Sequence, residues 1–375
     1  MLIDQHCHSV LAPGPEEPDD AMLGTLLTES DRPPAAGTDP FASALGLAVR
    51  RWCPPALGLP AHADPAAYLA RRRELGTAGV TRRLLAAAGL SACLVDTGLT
   101  VAAGRPLLPL AALARASGAR VHEVVRLETV AAGVVAEPAD WPRALARALA
   151  DACADAVAVK SVLAYRHGLA VPAAPPGRAE VVRAAGAWLA GPRERLTDPV
   201  LLHHLLWQAV DLGLPIQLHT GFGDPDLSLH RADPALLVDF VRAVEPTGVP
   251  LVLLHCYPYH RQAAWLAHCF PHVHVDVGLT LSYTGPRAAE VLGEVLELAP
   301  FGKVLFSSDA YGLPELYLVG AAQYRHALER LLAGWRRDGA CTAADAAAIE
   351  AGLSGANASR LYRLDSDTSA DSQVT

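Results

Sequence analysis

The sequence predicts a (β/α)8 barrel, because eight short apolar segments recur along its 375 residues, helix-like stretches separate them, and each segment runs into a polar residue. The eight segments are 2–6, 92–98, 122–128, 156–165, 215–221, 250–256, 272–278 and 303–310. Their nearly continuous apolar character is typical of parallel strands buried on both faces. An open doubly wound sheet is the weaker alternative, since no glycine-rich turn follows any segment.

The first connection differs from the others. Residues 12–91 separate the first two predicted strands; they begin rich in proline and then become helical. Asp64 is placed as an N-cap and Pro65 in the first turn of a helix. We predict a helical insertion over the barrel mouth. Later helices are predicted over 141–154, 199–213, 234–245 and 261–270, within one domain (residues 1–365) that ends in a flexible tail (366–375).

Composition restricts the class of function. Hydrophobic residues make up 51% of the chain, which allows a large core, and the formal net charge of −8 argues against nucleic acid as a partner. Seven scattered cysteines without a CxxC pair indicate reduced thiols. No apolar run is long enough to span a bilayer, and the start does not resemble a signal peptide. We therefore expect a cytoplasmic protein with a small-molecule substrate and no membrane partner; a homo-oligomer is compatible with the sequence.

Polar residues at the strand ends predict a metal site. His6 and His8 lie two residues apart, so in a strand both side chains face the same way and can bind one cation, whereas Cys7 faces away. This pair alone is a weak signal. Further candidates end strands four, five, six and eight, and all such ends converge on one face of a barrel; they are Lys160, His219, His255 and Asp309.

The donor set restricts the metal without identifying it. Imidazole nitrogens with a carboxylate oxygen suit zinc, and they also suit manganese, iron or nickel. Zinc is the first expectation, because the candidate residues include neither a redox group nor a cysteine cluster.

Several motifs resemble the amidohydrolase superfamily of metal-dependent barrels, in its amidohydrolase-2 branch. They are IDQHCH, VKSVLAYRHGL, HTGFGDPDL, LLHCYPYHRQAAWLA, VDVGL, LFSSDAYGLPELYLVGA and GANASRLYRL. Within that branch they look closest to the domain fused to glutamine-synthetase-like domains and to stand-alone γ-glutamyl amide hydrolases. The resemblance covers nearly the whole chain, although residues 12–91 add nothing to it.

The resemblance implies ligand roles. His6 and His8 would hold one metal, with Asp309 as a shared ligand. In binuclear members a carboxylated lysine, here Lys160, bridges to a second ion held by the strand-five and strand-six histidines. In mononuclear members the strand-five histidine, His219, joins the single ion, and His255 polarises the substrate. Occupation of all six positions favours two ions. A free ammonium would repel the cation, so Lys160 is expected either to be carboxylated or to turn toward Glu128.

The implied reaction is hydrolysis of a C–N amide bond by metal-bound hydroxide. Asp309 would accept the proton and deliver it to the leaving nitrogen, while His255 or the metal stabilises the oxyanion. The leading substrate is a small amino-acid derivative such as a γ-glutamyl amide. A mononuclear non-oxidative decarboxylase is the alternative, and a domain without catalysis is a third hypothesis that the complete ligand set disfavours.

Residues near the same strand ends are candidates for substrate binding. Arginine would bind a substrate carboxylate and aspartate an ammonium group, which would suit an amino-acid head group. The candidates are Arg126, Glu128, Tyr165, Arg166, Gln217, Asp224 and Asp226.

Overall fold

A computed structural model describes residues 1–14, 18–32 and 35–364. Eight parallel strands form one sheet in chain order. They are β1 Ile3–Cys7, β2 Ala92–Asp96, β3 Arg120–Arg126, β4 Ala158–Ser161, β5 Ile216–Thr220, β6 Leu251–His255, β7 Val273–Asp276 and β8 Val304–Leu305. The barrel predicted from the sequence is therefore confirmed. Each strand overlaps its predicted segment, although β1 ends one residue later and β3 begins two residues earlier than predicted.

Backbone hydrogen bonds between the first and last strand segments close the barrel. The Gln5 amide donates to the Phe306 carbonyl at 3.0 Å, and the Asp309 amide donates to the His6 carbonyl at 3.0 Å. Residues 306–310 thus run beside β1 although regular β8 is only two residues long. This closure brings the predicted ligand at the end of the barrel sequence next to the histidines at its start.

Sixteen α-helices in the described residues surround the sheet. They are α1 Asp20–Thr25, α2 Ala44–Ala56, α3 Pro65–Ala88, α4 Leu110–Ser117, α5 Leu127–Gly133, α6 Trp141–Ala152, α7 Leu163–Arg166, α8 Arg178–Ala190, α9 Pro199–Leu212, α10 Val238–Val244, α11 His260–Cys269, α12 Gly278–Thr284, α13 Ala288–Leu296, α14 Pro314–Arg337, α15 Ala343–Ala351 and α16 Asn357–Tyr362. Short 3-10 turns occur at Pro40–Ala42, Leu229–Arg231, Pro234–Leu237, Glu245–Thr247, Gly285–Arg287 and Phe301–Lys303, and a π turn at Gly352–Ala356. A two-residue hairpin pairs Val101–Ala102 with Arg105–Pro106.

The first connection is helical, as predicted. α3 begins where the sequence places it: the Asp64 carboxylate accepts the Ala66 amide at 2.9 Å, and Pro65 occupies the first turn. The backbone at Gly76 leaves helical geometry (φ 65°, ψ 161°), which interrupts α3, and Gly89 ends it in a left-handed conformation. The predicted tail at 366–375 lies outside the described residues.

Burial follows the predicted pattern. All five residues of β1, β2, β5 and β6 are buried, which is expected for strands covered by side chains inside the barrel and by helices outside it. The seven cysteines, all within the described residues, are free thiols. No described helix combines the length and the apolar character that a membrane crossing requires.

Candidate metal centre

Three predicted ligands meet where the first and last strand segments are joined. The His6 Nε2 atom lies 3.1 Å from Asp309 Oδ1, and the His8 Nε2 atom lies 3.5 Å from the same oxygen. Each of the three residues offers one ligand atom, and these atoms lie within 4.8 Å of one another. Such a group of two imidazoles and one carboxylate can share one cation.

The other three predicted ligands lie beside this group. Lys160 Nζ is 3.1 Å from His6 Nε2, and His255 Nε2 is 3.6 Å from Asp309 Oδ2. The ring of His219 lies 4.6 Å from that of His255, measured between centroids. The structure therefore brings all six residues together, from five different strand ends.

The hydrogen bonding of the buried histidines fits a cation. Within the described residues, His219 Nε2 and His255 Nε2 are buried without a hydrogen-bond partner. A buried polar atom left in this way costs about 1–3 kcal/mol. Coordination of a divalent metal by these lone pairs would remove that cost, and the nitrogen and carboxylate donors suit zinc or a neighbouring transition metal.

Hydrogen bonds behind the imidazoles orient their metal-facing atoms. His6 Nδ1 donates to Gln217 Oε1 at 2.8 Å, and His8 Nδ1 donates to the Asp96 carbonyl at 3.2 Å. The amide nitrogen of Gln217 in turn donates to the Gln5 carbonyl at 2.7 Å, which determines its orientation. Because Nδ1 carries the proton in both rings, each Nε2 lone pair is available to a cation.

The charge states also suit a cation. Burial, with Lys160 as the next contribution, lowers the pKa of His6 to about 4. Burial likewise lowers the pKa of Lys160. Burial alone would raise the pKa of Asp309, but His255 and His6 hold it well below its usual range. Neutral imidazole beside ionised carboxylate is the state that binds a metal.

Two of the candidate ligands have unusual backbone conformations. His255 (φ 67°) and Asp309 (φ 49°) adopt positive φ, which is uncommon for residues other than glycine. The His255 amide donates to Asp276 Oδ1 at 3.0 Å and its carbonyl accepts from Thr280 Oγ1 at 2.9 Å, so neighbours hold the conformation. Strained residues held in this way concentrate at functional sites.

A cavity of about 690 Å³ borders the cluster, and five of the six candidate ligands line it, His6 lying behind them. One wall comes from the insertion, where residues 25, 26 and 29–32 face the cavity. Four of the predicted substrate-binding residues also line it: Arg126, Tyr165, Arg166 and Asp224.

Arg126 is held in place by Asp96. Its Nη2 and Nε atoms donate to Asp96 Oδ2 at 2.7 and 3.1 Å, which leaves its other N–H groups for the cavity. Any other residue at position 98 would displace Arg126, since a Cβ atom there would lie 2.4 Å from the Arg126 side chain. A similar constraint holds at Gly223, where a Cβ atom would lie 1.9 Å from the Tyr165 hydroxyl.

Three predicted substrate-binding residues do not line the cavity. β3 ends at Arg126, so strand alternation does not extend to Glu128, which is buried in α5 and accepts from Ser161 Oγ at 2.6 Å. Its other oxygen, Oε2, has no hydrogen-bond partner in the described residues, and Lys160 Nζ lies beside His6 Nε2, so Glu128 does not pair with Lys160. Gln217 shares a strand face with His219 but lies one layer deeper, beneath His6. Asp226 is exposed and forms an ion pair with Arg195.

Some residues of the site were missed in the sequence. Asp96 ends β2 and could have been found by the strand-end rule that identified the other ligands. Glu29 of the insertion lines the cavity, and its Oε1 accepts from the Tyr283 hydroxyl at 3.1 Å. Burial, followed by the neighbouring Asp309, raises the pKa of Glu29 to about 8. No sequence signal marked Glu29, because the insertion has no strand-end pattern.

Comparison with known proteins agrees with this arrangement. The sequence profile of the amidohydrolase family matches residues 104–364, well over half of the chain. The fluG protein of Emericella nidulans is 33% identical over 223 residues; the match covers 56% of this chain and 26% of that protein. The chain therefore spans about a quarter of the length of this curated relative.

Solved structures show the same fold. A Lactobacillus casei protein provisionally described as a metal-dependent hydrolase is 29% identical, with a TM-score of 0.80 and coverage of 97% of this chain and 96% of the other. The uronate isomerase of Thermotoga maritima is 12% identical, with a TM-score of 0.63 and coverage of 96% and 94%. At that identity the second similarity concerns the fold alone.

Proposed function

This chain belongs to the amidohydrolase family, and from that premise we propose that it hydrolyses a C–N amide bond in a small amino-acid derivative, with a γ-glutamyl amide as the leading substrate. One observation carries the proposal. Unpartnered Nε2 atoms of buried histidines lie with Asp309 at the edge of a cavity that also presents arginine and acidic side chains. The relatedness to the fluG protein and to the Lactobacillus protein supports it.

Residues of different charge have different roles in the proposed reaction. His6, His8 and Asp309 would hold the cation, with His219 and His255 beside them. When bound, the cation would lower the pKa of a water molecule and polarise the substrate carbonyl. Asp309 takes a proton from water and gives it to the leaving nitrogen. Arg126 and Arg166 bind a carboxylate of the substrate, and Asp224 lies at the wall where an ammonium group would be received.

Zinc is the proposed metal, and Lys160 the proposed site of carboxylation. Lys160 lies against His6 Nε2, where a positive ammonium would oppose a metal. The lowered pKa of Lys160 favours the neutral amine, which can add CO2 with release of a proton to give an anionic carbamate. Metal analysis tests the proposal: two ions per chain and a 13C carbamate signal after incubation with 13CO2 are expected. One ion without that signal would contradict it.

Turnover on a defined panel tests the reaction. The purified protein is incubated with γ-glutamyl amides and, separately, with aromatic carboxylates, and glutamate, amine and CO2 are measured. Release of glutamate and amine in equal amounts, lost on chelation and restored by zinc, is the expected result. Release of CO2 without glutamate would instead support the decarboxylase alternative.

A matched pair of variants makes the test specific to the metal centre. His8→Gln removes a proposed ligand and should lower both bound metal and turnover. His268→Gln changes an exposed histidine on α11 and should alter neither. Equal metal content in the two variants would contradict the ligand assignment.

A further inference from the structure

We propose that Glu29, contributed by the insertion, is a specificity residue that binds an alkylammonium group of the substrate. The inference deepens the proposed amide hydrolysis and rests on it for the identity of the substrate. The preference for a cation can nevertheless be measured by binding alone, without turnover.

Glu29 and Asp224 differ from the other two carboxylates that line the cavity. Asp31 is paired with Arg32, and Asp309 with the histidines. Among the described residues, none of the ion pairs includes Glu29. A carboxylate that lines a cavity without a cation of its own is suited to receive one from a ligand.

Other negative groups near Glu29 increase this preference. Both Asp309 and Asp224 raise the pKa of Glu29 electrostatically, after the larger contribution of burial. The Glu29 side of the cavity is therefore unfavourable for added negative charge and favourable for a positive group. Glu29, whose pKa of about 8 leaves it mostly protonated at neutral pH, would ionise and release its proton to solvent on binding a substrate ammonium.

Tyrosines hold Glu29 in place for this task. Tyr283 donates to the Glu29 carboxylate, and its ring lies edge-on to that of Phe222 at 5.3 Å between centroids. Tyr311 donates from its hydroxyl to the carbonyl of Thr28 at 2.8 Å, which fixes the backbone next to Glu29. Tyr311 and Tyr165 also line the cavity, and aromatic surfaces tolerate cations well. The carboxylate is thus preorganised, which reduces the entropy lost on binding.

The ammonium could come from either part of an amide substrate. The bound group is the α-ammonium if Glu29 contacts the acyl part of the substrate. It is a distal ammonium if Glu29 contacts the amine part. Two ligand pairs distinguish these sources. Glutamine and its des-amino analogue glutaramate differ only at the α-ammonium. γ-Glutamyl-4-aminobutylamide and γ-glutamylpentylamide differ in whether the amine part ends in an ammonium or in a methyl group of similar size.

Isothermal titration calorimetry measures the four affinities on protein from which metal has been removed with a chelator, so that the amides bind without being hydrolysed. In at least one pair we expect the wild type to bind the ammonium-bearing member about 10- to 100-fold more tightly, the range for a charge-assisted hydrogen bond. Glu29→Gln should reduce that ratio to about threefold or less. Glu74→Gln, the same change at an exposed position of α3 that pairs with Arg71, should leave the ratio unchanged.

Two outcomes would overturn the proposal: a wild type without preference for the ammonium in either pair, or a Glu29→Gln variant that keeps the wild-type ratio. Tyr283→Phe provides a second variant, which removes the hydroxyl that orients Glu29 and should lower the ratio by a smaller factor. Because these measurements need no catalysis, absence of amide hydrolysis would refute the proposed reaction while the role of Glu29 is decided separately.

Discussion

The floor of the cavity and its rim are built on different principles. The floor consists of His6, His8, Lys160 and Asp309, each of which has a polar atom within 3.5 Å of a polar atom of another. The rim consists of residues 25–32 and the loop 222–226. On the rim the Asp31 and Arg32 side chains are 62% and 70% exposed, whereas His6 on the floor is fully buried.

This contrast separates chemistry from recognition. Floor residues are attached to strands or to the segment that closes the barrel, and buried neighbours such as Gln217 orient them. Rim residues come from connections that the barrel does not constrain, and their ion pairs are exposed to solvent, where such pairs contribute only about 0–1 kcal/mol. Substitutions on the floor should therefore affect turnover, and substitutions on the rim should affect selectivity.

The strongest test of this contrast is Asp309→Asn. The amide cannot take up the proton, so kcat should fall by about a thousandfold or more, while the shape of the side chain and hence the fold are preserved. Kinetics and thermal unfolding monitored by circular dichroism measure the two effects. Retention of more than a few per cent of the wild-type activity would contradict the role of Asp309.

The second test concerns Gln217, which lies behind the floor and contacts His6. Gln217→Leu removes the acceptor of the His6 Nδ1 proton, and metal affinity should fall by about 10- to 100-fold. Competitive titration with a chromophoric chelator measures the change. Gln208→Leu, on the outer helix α9 where Gln208 contacts Asp211, is the matched control and should bind metal normally. Equal affinities in the two variants would show that Gln217 does not support the site.

Arg126→Lys tests the boundary between floor and rim. Lysine carries its donors on one nitrogen at the end of a flexible chain, so it cannot reproduce the fixed fork with which arginine contacts Asp96 and presents further donors to the substrate. We expect KM for a carboxylate-bearing substrate to rise about tenfold, with a smaller change in kcat. Steady-state kinetics with the substrate and with its carboxamide analogue give the comparison. A similar rise in KM for both would indicate a structural effect rather than recognition of the carboxylate.

The smallest effect is expected at Asp226, on the exposed edge of the rim. Its partner Arg195 is 41% exposed and the ion pair is solvated, so Asp226→Asn should change kcat/KM by less than about threefold. Kinetic measurements at low and high salt check this expectation. A loss approaching that of Arg126→Lys would mean that Asp226 contacts the substrate after all.

The sequence by itself determined the barrel and most of the floor. Strand periodicity places His6 and His8 on one side, and convergence of parallel strand ends assigns Lys160, His219, His255 and Asp309 to one face, because both rules are local or follow from the topology. The same rules failed at Glu128, since the strand ends two residues earlier, and they could not tell that Gln217 lies a layer too deep.

Only the tertiary structure decided which residues form the rim. The carboxylate of Glu29 reaches the cavity because the insertion folds back over it, and its hydroxyl partner Tyr283 lies 254 residues away in the sequence. The pairing of Arg126 with Asp96 likewise depends on neighbouring strands. No periodic pattern encodes contacts of this kind, because they arise from the packing of an irregular connection against distant loops.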